Sequence, residues 1–248
     1  MAILKPSDFI RIIWRSFYIQ AAWNSERMLS LGFCFCLVPF IKKAFSKSED
    51  RAIFLERNLQ FFNTHPYMAS WIMGATIRLE EQSIEEARFD TKQMDRFKKR
   101  MSESLAAIGD QLFWGKLKPI AAMLGLALTL YNKVLGFCVF LFLYNLPHFY
   151  MRITGLLRGY KLGFDLAKVV SLSKYKEIFE SLDKFAALST GVLITLLGFS
   201  DFIASFPEGA AFLAGLLLML ILLKLNVSVP VALIVLILGS TVVGGLIY

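Results

Sequence analysis

A histidine, an aspartate and two asparagines, each set among aromatic rings, are the residues of this chain best suited to chemistry. His65 lies in Phe61-Phe62-Asn63-Thr64-His65-Pro66-Tyr67-Met68. Its imidazole is a candidate phosphoryl acceptor. The residues around it favour a turn, with Pro66 setting the backbone and Asn63 or Thr64 capping the segment that follows. Asp110 lies in Ile108-Gly109-Asp110-Gln111-Leu112-Phe113-Trp114-Gly115. A carboxylate accepts hydrogen bonds from hydroxyls and an indole stacks on sugar C–H faces, so Asp110 and Trp114 suit sugar recognition. Asp110 serves equally as the cap of a following helix, with Phe113 and Trp114 in a membrane-interface aromatic belt. Trp23, Asn24, Glu26 and Arg27 form a third polar and aromatic group, in which Glu26 and Arg27 are expected to pair with other charges. His148, in Leu146-Pro147-His148-Phe149, reads as an interfacial residue.

Other chemistries find no support. There is no Ser–His–Asp set, metal-ligand spacing, phosphate loop or dinucleotide fingerprint, so no catalytic residue, metal or cofactor is expected. Cys34, Cys36 and Cys138 all lie in apolar runs and are odd in number. They therefore read as small apolar side chains rather than a disulfide framework or zinc site.

The elements that must position these groups belong to a membrane protein. The chain has 248 residues, is 56% hydrophobic and carries a net charge of +8, with a mean hydropathy of +0.58. Lys and Arg gather beside apolar runs, as membrane topology demands, so the positive charge does not point to nucleic acid. Residues 1–118 hold 18 Lys/Arg and 13 Asp/Glu against 9 and 6 in residues 119–248. Two parts are expected, a charged part with short apolar islands and a membrane part. Arg11 and Arg15 interrupt the first apolar residues, so no signal peptide is expected and insertion falls to mature segments.

In the first part, Phe9 to Tyr18 has near-helical apolar spacing, with Ser7 or Asp8 as its cap. It reads either as an interfacial amphipathic helix or as a helix packed on a protein partner. Met28–Ile41 (14 residues) and Tyr67–Leu79 (13 residues) are apolar islands. Both are well below the about 20 residues of a span, which suggests re-entrant or half-helices, or buried helices of a soluble subdomain. Glu80 to Lys118 reads as a solvated cytoplasmic helical pair, or as a docking face.

In the second part, residues 119–150 form an apolar hairpin turning at Asn132-Lys133, and residues 151–184 form a cytoplasmic connection. Residues 185–248 carry full spans, with Asp201, Pro207 and Glu208 in an outer turn. The resulting topology has the N-terminus inside and the C-terminus outside. The glycines of these last spans suit close helix packing and imply an obligate membrane partner. The fold class is mostly α: a polytopic helical membrane protein with short segments first and full spans last.

The octet Phe61–Met68, with Arg15-Ser16-Phe17-Tyr18-Ile19-Gln20-Ala21-Ala22-Trp23-Asn24 upstream, resembles the IID membrane component of the mannose/fructose/sorbose phosphotransferase system. Gly109-Asp110-Gln111-Leu112-Phe113-Trp114-Gly115 is similar to that family's G-D-x-x-F-W-G motif, and Gly159-Tyr160-Lys161-Leu162-Gly163 to its glycine-tyrosine element. The resemblance covers about Ser7 to Lys168. It implies a bacterial inner-membrane permease built with a IIC subunit, in which IIA and IIB carry phosphate and IIB phosphorylates the sugar. IID itself is then not phosphorylated, and the assembly is an oligomer of IIC–IID pairs. Trp23, Asn24, Asn63, His65, Asp110 and Trp114 become candidates for lining or shaping the sugar path. One departure is Met101–Ala107, where the family has a glycine- and proline-containing approach. Another is a later part that is shorter than usual. Both admit an alternative, a regulatory or interaction subunit that does not support bulk uptake.

Overall fold

Proline at the first helical position starts α1 (Pro6–Ser16), where its missing N–H costs nothing. The expected cap moves by two residues. Lys5 is the capping position, and Asp8, at the third helical position, accepts the Lys5 N–H at 2.8 Å. The same carboxylate takes the Lys43 ammonium from α2 (Ser30–Ala44) and is 1% exposed. Burial opposes the charged form of Asp8. The Lys43 and Lys5 hydrogen bonds and the Lys43 and Arg11 charges outweigh it and hold the acid below its ordinary 3.8. The chain is described here by a computed structural model for residues 3–86, 91–196, 206–225, 227 and 229–247. The expected outer turn at Asp201 lies outside the described residues.

One face of α1 packs within the chain and another is exposed. Ile12 and Ser16 are buried within the chain, whereas Ile10, Trp14 and Tyr18 stand on one exposed apolar stripe. Arg15 lies over the Phe35 ring at 4.4 Å and donates to the Phe35 carbonyl at 3.1 Å, tying α1 to α2. After α3 (Ser48–Asn58) comes α4 (Ala69–Glu86). At 15 residues α2 is shorter than the about 20 a span needs, and α4 reaches 18 only by including its charged end.

That charged end corrects the solvated-pair expectation. Glu80 and Glu81 are 5% and 0% exposed. Glu80 pairs with Arg57 of α3, while Glu81 accepts the Ile3 N–H at 2.9 Å and the Tyr160 hydroxyl at 2.6 Å. An α-helical repeat carries them inward beside the apolar face, and each carboxylate finds donors there.

The partner of α4 is α7 (Lys133–Leu162), which at 30 residues is about 45 Å long. Their seam is built on missing side chains. A Cβ at Gly74 would lie under 3.0 Å from the Leu156 carbonyl oxygen, and one at Gly159 under 3.0 Å from that of Trp71. Gly155 faces the Trp71 ring in the same way. Gly155 and Gly159 are one turn apart, the small-residue spacing that lets helix backbones approach in membranes.

The expected hairpin turns where the sequence placed it, although both its arms are longer. Asn132 caps α7, its Oδ1 accepting the Val134 and Leu135 N–H groups at 3.0 Å each. The incoming arm is one unbroken helix: α5 (Thr91–Gly109), a π-helical stretch (Asp110–Leu117) and α6 (Lys118–Thr129). The outgoing arm runs past residue 150, so Arg152 is a buried helical residue rather than the start of a connection. Lys92–Thr129 and Lys133–Val169 are long and apolar enough to cross a membrane. Gly163, at φ +51°, ends α7 and leads to α8 (Leu166–Val169) and α9 (Lys176–Leu196).

The chain divides into two units, Met1–Thr190 and Gly191–Tyr248. The second contains α10 (Phe206–Lys224) and α11 (Val229–Ile247). A Cβ at Gly215 or Gly239 would meet nothing within 4 Å among the described residues.

Two outcomes follow from these contacts. Gly159→Leu should destabilise the detergent-solubilised protein by about 3 kcal/mol, because the obstructing atom is backbone; an unchanged thermal midpoint would contradict the seam. Asp8→Asn should cost roughly 1–2 kcal/mol at neutral pH. As the folded carboxyl is lowered, its contribution is complete above the ordinary carboxylate value and is lost as pH falls through the lowered one. The gap between wild type and Asp8→Asn in thermal scans should therefore close on acidification.

Candidate substrate-path site

The segment before α4 folds around the backbone of His65. Its carbonyl accepts the N–H groups of Met68 at 2.9 Å and Ala69 at 3.1 Å, which closes the turn that starts the helix. The expected cap is therefore replaced. Thr64 Oγ1 is buried without a hydrogen-bond partner, and Asn63 is exposed. The Tyr67 N–H donates to His65 Nδ1 at 3.3 Å. That nitrogen is thus an acceptor, and a neutral ring carries its proton on Nε2. Nε2 is itself buried with no partner, in a side chain only 1% exposed. This arrangement offers an incoming phosphoryl group no nitrogen.

What His65 does touch is the other aromatic motif. Its ring stacks on Phe113, centroids 5.0 Å apart at 15°, and lies 4.8 Å from the Trp114 ring. A Cβ at Gly109 would come under 3.0 Å from the His65 ring, so only glycine fits beneath the imidazole. From Asp110 onward the helix is π-helical, and this wider repeat decides which faces Leu112, Phe113 and Trp114 occupy. Phe113 is fully buried and therefore not part of an aromatic belt, while Trp114 is 49% exposed. Asp110 caps nothing, since Gly109 before it is already helical at φ −65° and ψ −43°. Its side chain is exposed.

The upstream group joins the same junction through the backbone. Asn24 Oδ1 accepts the Arg27 N–H at 2.8 Å, and Asn24 and Met28 form an antiparallel bridge. Met28, at φ 55°, then bridges Phe62 in parallel, and the Leu29 N–H donates to the Phe62 carbonyl at 2.9 Å. Glu26 and Arg27 pair with each other at 3.6 Å on the surface, and Trp23 is 55% exposed. Asn24 is thus a turn-former, and it fixes the octet.

Arg152, which sequence reasoning passed over, completes the junction. Its guanidinium lies 4.8 Å from the Phe17 ring centroid and 5.1 Å from that of Tyr67. It donates to the Ser16 carbonyl and, at 3.1 Å, to Ser16 Oγ, so one residue of α7 holds both the end of α1 and the start of α4. Tyr67 in turn stacks on His148 at 4.5 Å and shares a hydrogen bond with the Tyr144 hydroxyl at 3.0 Å. His148 is therefore part of the buried ring cluster, not an interfacial residue, at 7% exposure. The available signal was Arg152 itself, the first charge after the uncharged run Val134–Met151 and expensive when buried unless it has a task.

The three candidate groups thus meet one another at defined contacts. Residues 3–197 match the family model described as the mannose/fructose/sorbose family IID component of the phosphotransferase system. The chain belongs to that family. It is 34% identical over 192 residues to the mannose-specific EIID component of Escherichia coli K12, covering 77% of this chain and 68% of that protein. It is 35% identical over 193 residues to the sorbose-specific EIID component of Lacticaseibacillus casei, at 78% and 68% coverage. Among solved structures, a chain of the mannose transporter ManYZ in complex with microcin E492 matches with a TM-score of 0.64. That match has 34% identity and covers 78% of this chain and 71% of that one. A second solved chain, titled only as a membrane protein, matches at TM-score 0.72 with 33% identity, covering 77% and 70%. This IID chain is accordingly a membrane component of a sugar permease, and its matched region ends before α10.

The stacked contact predicts a coupled pair. Gly109→Ala should destabilise this chain through the His65 ring, and His65→Ala in the same protein should restore part of the loss. A double-mutant cycle by thermal unfolding should give a coupling of about 1–3 kcal/mol; strictly additive effects would mean the ring and the glycine do not meet.

Proposed function

We propose that this IID chain joins a IIC subunit to form the path by which a hexose-type sugar crosses the inner membrane, IIB phosphorylating it as it leaves. The observation that carries this reading is the junction of the three motif blocks, Trp23–Asn24, Asn63–His65 and Asp110–Trp114, at the π-helical stretch of the long α5–α6 helix. A π-helical stretch is rare and is found frequently at functional sites. Asn63, Asp110 and Trp114 are the exposed or half-exposed members and the ones offered to a sugar. His65 and Asn24 shape the core, and Trp23 sits at the rim.

In this reading α2 and the apolar start of α4 are short membrane-embedded segments. The hairpin and the C-terminal helices span, the N-terminus is cytoplasmic and the C-terminus is outside. Similarity to ManYZ supports a IIC–IID partnership. Phosphate comes from IIA and IIB rather than from His65, which is enclosed and holds its Nδ1 in a backbone hydrogen bond.

Inside-out or right-side-out vesicles containing IIC, with and without this chain, provide the test when supplied with the soluble phosphocarriers. Sugar-dependent consumption of phosphoenolpyruvate should require this chain. Unchanged phosphorylation in its absence would remove it from the transport path and leave it an interaction or regulatory subunit.

A further inference from the structure

Beside the aromatic junction, between the octet and the charged face of α5, lies a cleft of about 520 Å³, within the range of about 300–1,000 Å³ of small-molecule sites. Phe61 stands on its rim with a ring 64% exposed. Asn63, Lys99 and Glu103 also line it, all three exposed and none engaged in a side-chain hydrogen bond or ion pair among the described residues. They bring an amide, an ammonium and a carboxylate to one opening, hence both donors and acceptors.

The remaining charges are already committed. Lys98 donates to Asn58 Oδ1 at 2.9 Å and lies over the Phe33 and Phe62 rings at 4.3 and 4.9 Å. Arg57 pairs with Glu80 and reaches Asp95 at 4.0 Å. Arg57 is thus held by Glu80, which lies outside the cleft, and by Asp95, Lys98 is engaged with Asn58, and the uncommitted charges left at the opening, Lys99 and Glu103, are opposite in sign. A phosphate or phosphorylated ligand would want surplus positive charge with free donors, and would meet the Glu103 carboxylate instead. A neutral ligand with neighbouring hydroxyls meets what the cleft provides: hydroxyls donate to Glu103 and Asn63 and accept from Lys99 and Asn63, and a C–H face lies on Phe61.

We propose that this cleft is a binding site for a neutral hexose-class sugar on the IID chain itself, with Asn63, Lys99 and Glu103 as its polar contacts and Phe61 as its platform. It rests on the permease reading and deepens it, because the sugar then contacts IID directly, outside the apolar part of the path, on the charged first half of the α5–α6 helix.

The experiment uses the intact membrane complex with IIC and a photoreactive hexose, with labelled peptides mapped after proteolysis. Label should fall on the peptides carrying Phe61–Asn63 or Lys99–Glu103 and be displaced by unmodified mannose or fructose. Glu103→Gln and Asn63→Ala, both at exposed positions and so expected to keep the thermal midpoint, should each reduce labelling about ten-fold, the effect of one lost hydrogen bond to a charged or polar group. Label confined to IIC or to other peptides overturns the proposal, as does an absence of label. Displacement by inorganic phosphate or a hexose phosphate in preference to free sugar overturns it too. These outcomes are separable from failure of the permease reading, which the vesicle measurement detects as sugar-dependent phosphoenolpyruvate consumption that does not need this chain.

Discussion

The close approach of α4 to α7 is the constraint on which the rest of the first unit depends. Where Gly74, Gly155 and Gly159 remove three side chains, two helix backbones come near enough for a carbonyl of one to lie against a glycine of the other. In lipid the apolar effect between helices is weak, and dispersion across such a seam is a principal source of association. Two sides of the aromatic junction hang from these helices, and Phe113 and Trp114 of the α5–α6 helix and the end of α1 pack onto them. The octet leads directly into α4, and Arg152, His148 and Tyr144 stand on α7 one turn apart. A shift of the seam by one turn would separate Tyr67 from His148 and pull the Arg152 guanidinium off Ser16.

A second constraint is the handling of polar groups in a chain this apolar. Asp8, Glu80, Glu81 and Arg152 are all nearly inaccessible, and each is joined to a donor or acceptor from a distant segment. Such pairs contribute little net stability compared with well-packed apolar residues, but leaving one member alone is expensive. Their effect is to fix which segments meet. Glu81 links residue 3 to residue 160, and Arg152 links the end of α1 to α7. Among the described residues a few buried polar atoms remain unmatched, His65 Nε2, His148 Nδ1 and Thr64 Oγ1 near the junction and Trp71 Nε1 on the α4–α7 seam among them.

Much of this was legible in advance. The apolar runs on either side of Asn132-Lys133 were enough to read the hairpin, because its turn, which Asn132 caps, is a local feature. The motif blocks around His65 and Gly109 were readable as sites for the same reason, since polar residues between aromatics are conspicuous in an apolar chain. Their meeting was not readable. His65 and Gly109 are far apart in sequence, and nothing local says that an imidazole rests on that glycine. The capping roles given to Asp110, Asn63 and Thr64 failed for a related reason: the helix through Asp110 has no start there, being continuous from Thr91 through a change of repeat. Propensity recognises a capping residue type but cannot tell that an upstream helix has not ended.

The sequence by itself determined the class of protein, its family, the turn of the hairpin and the residues worth watching, because each follows from composition, local backbone preference or a contiguous motif. Only the tertiary structure decided that Glu80, Glu81 and Arg152 are inside, that His65 packs rather than reacts, and that Phe61, Asn63, Lys99 and Glu103 share one cleft. Those outcomes depend on contacts between distant segments, and a carboxylate or imidazole takes its character from the partner that reaches it, not from its neighbours along the chain.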